Sequence, residues 1–139
     1  MKTKLSVLIL TMLMLIAVNV NAQSSEKYID NSKKNLVSAN EFYKSGKIED
    51  YSEYKTATIN IREKLLYKDL KSTVNKNAGK YSLVNIFYNK SQNIDPNRQI
   101  YLFCSIKETK EKMFHKFVII DAETKEPIAE GNGERWSYQ

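Results

Sequence analysis

The chain has 139 residues, with 22 lysines and arginines against 16 aspartates and glutamates, one histidine and one cysteine. That is the length of one domain; a lone cysteine excludes an intramolecular disulfide, and a lone histidine excludes a histidine-rich metal site. The net charge of +6 comes from interleaved signs, as in Lys107-Glu108-Thr109-Lys110-Glu111-Lys112, not from the single-sign stripe that a nucleic-acid groove requires, so no nucleic-acid partner is expected.

The first 22 residues read as a secretory signal peptide. Lys2 and Lys4 precede an apolar run from Leu5 to Val18, and Val20-Asn21-Ala22 offers small residues where a signal peptidase cuts. The run falls short of the roughly 20 apolar residues of a membrane span, and no basic stop-transfer cluster follows it. Cleavage after Ala22 would leave 117 residues with 20 basic and 16 acidic side chains, a net charge of +4. The expected location is periplasmic or secreted, with no membrane attachment after cleavage: a bacterial lipid anchor needs a cysteine next, and Gln23 stands there. At this length about two thirds of the unfolded chain's surface can be buried, and with no disulfide the core alone must supply stability.

Ile29, Leu36, Ala39 and Phe42 or Tyr43 are spaced to share one side of a helix from Ser24 to about Tyr43, with Ser24 or Ser25 as cap and Gly46 as the left-handed residue that ends it. Asp50-Tyr51-Ser52-Glu53 has the capping spacing of a new helix start. The stripe Tyr51, Tyr54, Thr58, Ile61, Leu65, drifting to Leu66, Leu70 and Val74, predicts a helical region over 50–76, either one curved helix or two with a break near 56–60. After Asn77-Ala78-Gly79 the period becomes two, which predicts strands at Tyr81–Asn89, Arg98–Lys107, Met113–Ile120 and Glu126–Glu130. Turn residues at 91–97, 108–112 and 121–125 join them as a meander. Pro127 belongs at an edge or a strand start, since it cannot donate to a ladder. Gly131-Asn132-Gly133 is expected to release a tail, giving one domain over 23–133 and a tail over 134–139.

Sorting the strands by parity makes both sheet faces apolar. Ile100, Leu102, Cys104 and Ile106 share one face and Tyr101 and Phe103 the other; Met113, His115, Phe117 and Ile119 alternate with Phe114, Val118 and Ile120. Helices can cover one face. The second then calls for a pocket or a second subunit, because exposed apolar patches beyond a few hundred Å² are seldom tolerated. This makes Tyr101, Phe103, Phe114, Val118 and His115 the candidate ligand- or partner-binding residues, with a small apolar ligand, an unknown protein or a homodimer across the sheet as the occupant.

Groups for catalysis are few. Cys104 and His115 lie one strand apart and could form a thiolate pair, yet each alternates with core residues, as structural side chains do. Asp50, Glu53, Asp121, Glu123, Glu126 and Glu130 fall at caps and turns, without the fixed separation of a glycosidase pair or the spacing of a calcium loop. Arg135-Trp136-Ser137-Tyr138 offers aromatic platforms for sugars or bases. There is no phosphate loop, nucleophile elbow or CxxC pair, so no catalytic residue, metal or cofactor is assigned.

A helix, the connector Lys44-Ser45-Gly46-Lys47-Ile48-Glu49-Asp50-Tyr51, a second helical region and long antiparallel strands together resemble the NTF2-like group within the cystatin-like architecture. The resemblance implies an α+β fold, with an N-terminal helical layer of two or three helices on a curved, antiparallel, four-stranded meander whose mouth binds ligands and whose sheets often pair. Two features depart from it: Trp136 falls in the tail rather than in a final strand, and the inhibitory Gln-x-Val-x-Gly loop of true cystatins is absent. The functional expectation is a small exported binding domain without catalysis. The alternatives are an inhibitor or immunity-type protein that enters an extracytoplasmic enzyme with a hairpin such as 91–97 or 121–126, and a small enzyme with His115 as base.

Overall fold

A computed structural model describes residues 28–83 and 93–137. The expected signal peptide 1–22, the expected caps Ser24 and Ser25, and the expected strand residues Val84–Asn89 lie outside the described residues.

The first helix, α1, spans Ala39–Lys44, much shorter than the helix expected from residue 24. Its start is set by a capping box: the Ser38 hydroxyl accepts from the Glu41 amide at 3.2 Å, and the Glu41 carboxylate accepts from the Ser38 amide at 2.9 Å. Gly46, at φ +69°, follows its end as expected. Residues 28–37 form a strap instead of helix. Asp30 accepts the Ser32 amide and Asn31 accepts the Lys34 amide, local bonds that compete with helical ones, and Asn31 and the backbone of Ile29, Lys34 and Val37 are bonded to the sheet.

The helix expected from Asp50 is replaced by irregular chain and then by strand β1, Ile59–Leu66. Ile61 and Leu65 are four residues apart, a spacing that puts side chains on one side of a helix and also on one face of a strand. Sheet pairing decides between them, with Ile61 opposite Cys104 and Leu65 opposite Ile100. Glu53 makes no capping box; its carboxylate holds the Arg62 guanidinium through two bonds, at 2.5 and 2.6 Å. The later part of that region is helical: a 3-10 turn at Tyr67–Asp69 leads into α2, Leu70–Ala78, which buries Leu70, Val74 and Ala78 at intervals of four. Tyr81, expected to open a strand, sits in a second 3-10 turn, Gly79–Tyr81, and Ser82 after it is left-handed at φ +51°.

Strands β2 (Gln99–Glu108), β3 (Lys112–Asp121) and β4 (Pro127–Trp136) complete a four-stranded sheet in the order β1-β2-β3-β4, each pair antiparallel. The row Ile61, Cys104, Phe117, Gly131 runs straight across it. The meander is therefore present with a different first strand, and its last strand continues past Glu130 through both glycines to Trp136. Pro127 begins β4, next to a register shift at Ile119/Ile120, a position where its missing amide leaves no gap in the ladder.

The fold is α+β, but its helices do not form one layer. On one face α2 covers Ile61, Ile100, Leu102, Cys104, Ile106, Met113, Phe117 and Ile119, joined by Tyr28, Tyr81, Leu83 and Ile94. On the other, α1 and its flanks cover Tyr101, Phe103, Val118 and Ile120. Both apolar faces are thus buried by the chain itself.

Candidate functional site

The face beneath α1 is an aromatic stack. Phe42 lies on Tyr101 with ring centroids 4.8 Å apart and planes 16° from parallel, while Tyr43 and Tyr51 tilt against Phe103 at 5.7 and 6.1 Å. Tyr101 and Phe103 are fully buried, and the Tyr101 hydroxyl donates to the Val37 carbonyl at 2.9 Å. Polar groups close the edges of the stack. The Arg62 guanidinium lies 3.9 Å from the Tyr43 ring centroid. The Lys125 ammonium sits 4.9 Å from the Phe42 centroid and 4.7 Å from that of Tyr101 and donates to the Ala122 carbonyl; burial lowers its pKa below the usual lysine value.

Of the residues singled out from sequence, Tyr101, Phe103 and Val118 come together here as packed core. Phe114 shares their face but lies half-buried toward the β2–β3 turn, opposite Lys107 and Glu134. His115 lies on the other face, among the residues under α2.

Beside the stack, where α1 gives way to the connector 47–51, two adjoining hollows of about 360 and 320 Å³ lie over β3 and β4. They share Asp50, Val118 and Glu130 and so form one trough. Its base is Val118 and Ile120, and its rim carries Lys47, Glu49, Asp50, Lys116, Lys125 and Glu130. Asp50 turns the connector with φ +58°. Among the described residues Glu49, Asp50 and Glu130 form no ion pair, in contrast to Glu53 with Arg62, Glu108 with Lys80, Asp121 and Glu123 with Arg98, and Glu134 with Lys112. Tyr51 lines the second hollow; its hydroxyl oxygen is buried without a hydrogen-bond partner among the described residues, and burial raises its pKa. Of these rim residues only Asp50 and Glu130 stood out in the sequence, as acids; the rim joins a connector to strands some 70 residues away, and no local periodicity marks it.

The possible nucleophile is not set up for attack. Cys104 is fully buried, and burial pushes its thiol up to about 12, so the thiolate is scarce at neutral pH. His115 is displaced from it by one register step, since Cys104 pairs with Phe117 and Ile106 with His115. Its own pKa is lowered, first by burial and then by the charge of Arg135. A thiolate facing an imidazolium is therefore disfavoured on both sides. The turn acids are likewise engaged: Asp121 is clasped by Arg98, and Glu123 accepts from Arg98, Asn31 and Lys34.

Trp136 ends β4 with 71% of its surface exposed and the Lys112 ammonium 5.2 Å from its ring centroid. Among the described residues no group of three or more His, Cys, Asp or Glu side chains could hold a metal ion, and no helix is long and apolar enough to cross a membrane. Comparison with protein-family models, curated proteins and solved structures finds no match to this chain.

Proposed function

We propose that this chain is a small exported binding domain without catalysis, and that its ligand or partner engages the trough between the connector 47–51 and strands β3 and β4. The observation that carries this reading is a recess rimmed by three carboxylates, Glu49, Asp50 and Glu130, that form no ion pair among the described residues although Lys47, Lys116 and Lys125 share the rim. In a chain of net positive charge, carboxylates gathered on one recess without ion pairs of their own remain available to an outside donor. The buried thiol and the depressed imidazole support the non-catalytic reading over an enzyme built on His115.

The same reading keeps a cystatin-like, NTF2-like architecture as our interpretation of the fold. A short helix followed by a four-stranded antiparallel meander supports it; the helix between β1 and β2 and the covering of both faces depart from the pattern. Export rests on the leader 1–22. A small apolar ligand among Tyr101, Phe103 and Val118 is the weaker choice of occupant, because α1 already fills that space.

The test is native mass spectrometry of the protein purified gently from its own host, beside the variant Asp50→Lys/Glu130→Lys. A bound mass on the native chain that the folded variant lacks supports the trough. A bound mass retained by the variant, or none on either, overturns it.

A further inference from the structure

Two rings on β3 lie over glycines on β4, and only one of them titrates. A Cβ placed on Gly131 would stand 2.8 Å from Cε1 of Phe117, and one on Gly133 would stand 2.8 Å from Cε1 of His115. Each ring occupies the space where the opposite residue's side chain would be, so the two contacts fasten β4 to the sheet. The Phe117 contact is indifferent to pH. The His115 contact is not: the residue is 7% exposed, and its Nδ1 is buried without a hydrogen-bond partner among the described residues.

A proton on that ring would add a charge and a second N–H donor to a site that supplies no acceptor for Nδ1. The charged and titratable groups on this side of the sheet are few. Arg135 on β4, two residues from Gly133, opposes a positive ring. Cys104 on β2 carries a thiol that stays neutral. Among the described residues three strand acids share this face. Glu108, at the end of β2 and opposite Met113, is held by Lys80 at 3.0 Å and the Tyr81 hydroxyl at 2.9 Å. Asp121, at the far end of β3 and opposite Ile100, is held by Arg98, and Glu63 on β1, opposite Leu102, is exposed to solvent two strands from His115. The side chains that α2 packs against this face, Leu70, Val74 and Ala78, bring no charge.

We infer that His115 is an acid-operated latch on the outer strand: neutral, it seats on Gly133 and holds the end of β4; protonated, it leaves that seat and frees Gly133 to Trp136. The consequence is a local opening, since Phe117 still holds Gly131 and the ion pair of Arg98 with Asp121 closes the opposite end of the sheet.

The test uses the full chain and hydrogen exchange of the amides of 133–136, corrected for intrinsic rates, at pH 7.5 and 5.0, beside the variant His115→Phe. In the native protein protection of these amides should fall by about threefold or more on acidification, relative to β2 amides, while His115→Phe keeps it. Because His115 is the only histidine, its ring resonance reports its titration without ambiguity. An equal acid loss in His115→Phe, or a native ring that titrates while protection of 133–136 is unchanged, would overturn the latch. Should the phenylalanine variant fail to fold, His115→Gln, neutral at both pH values, serves the same comparison.

Discussion

Arg98 and Asp121 hold each other through two bonds, Nε to Oδ2 at 2.6 Å and Nη2 to Oδ1 at 2.8 Å, with side chains 4% and 0% exposed. The guanidinium also donates to the Ile29 carbonyl at 3.0 Å and meets Glu123 at 2.9 Å. Asp121 accepts the amides of Glu123 and Thr124 as well, at 2.9 and 2.8 Å. One clasp therefore joins the N-terminal strap, the entry to β2 and the β3–β4 turn. Removing the arginine leaves a carboxylate in the core without its cation. Arg98→Ala should cost about 3–5 kcal/mol, read from the urea midpoint at neutral pH, because a buried charge without its partner is expensive.

The same pair sets the acid limit of the fold. Burial alone would raise the Asp121 pKa, but the bond from Arg98, the two backbone amides and the charge of Arg98 outweigh it, and the carboxyl lies below its ordinary value of 3.8. With the folded value below the unfolded one, the unfolded chain binds the proton first. The stabilisation is complete above that ordinary value and is lost as pH falls through the folded one. Urea midpoints measured from pH 5 down to pH 2 should decline steeply in the native chain and less steeply in Asp121→Asn, which begins from a lower stability.

Cys104 should resist thiol reagents in the folded state. With the thiol buried and its pKa pushed to about 12, alkylation at pH 8 requires opening of the central strand. Labelling should therefore track unfolding and speed up by about a hundredfold or more in denaturing urea. Rapid labelling of the native chain would show that β2 is open to solvent.

The stack beneath α1 gives two substitutions of unequal cost. Phe42→Ala empties the ring that lies on Tyr101 and closes Phe103, and should cost about 3–5 kcal/mol. Ser38→Ala removes one side of the capping box and should cost about 1 kcal/mol. Thermal melts of the two variants should rank in that order, and a larger loss in Ser38→Ala would mean that the cap anchors more than a single short helix.

Gly131→Ala places a methyl group 2.8 Å from the Phe117 ring, and that ring is itself buried at 4% exposure. With no room for the ring to swing, the variant should lose about 1–3 kcal/mol, as expected of overpacking. Gly46→Ala offers the contrast: a Cβ there meets nothing within 4 Å, but the backbone stands at φ +69°, so its cost is conformational and should be nearer 1 kcal/mol.

The centre of the sheet was legible because β2 and β3 alternate between two apolar sets, and only strands bury alternate residues on opposite sides. β1 was not: Ile61 and Leu65 satisfy both periods, and the residues that decide, Cys104 and Ile100, lie some 40 positions later. The strap was hidden for a related reason. Ile29, Leu36 and Ala39 have helical spacing, but Asn31 is bonded to Gln99, a contact no local window contains. Gly131 and Gly133 read as strand breakers until Phe117 and His115 are seen lying over them. The candidate site was least legible. The aromatic residues that suggested a pocket are filled by Phe42, while the trough rim is assembled from charged residues whose spacing in sequence carries no signal.

The strap that residues 28–37 lay across the sheet also sets an order of events. Most of its fasteners, Arg98, Gln99 and Glu123, lie 65 to 92 positions further along the chain, while Lys64, which donates to the Leu36 carbonyl, comes earlier, so a polypeptide made from its N-terminus presents the strap long before most of its partners exist. Until β2 and the turn after β3 have emerged, Tyr28 to Val37 must remain without most of its long-range native partners. The last contacts made in assembling this protein should therefore involve the first residues described here.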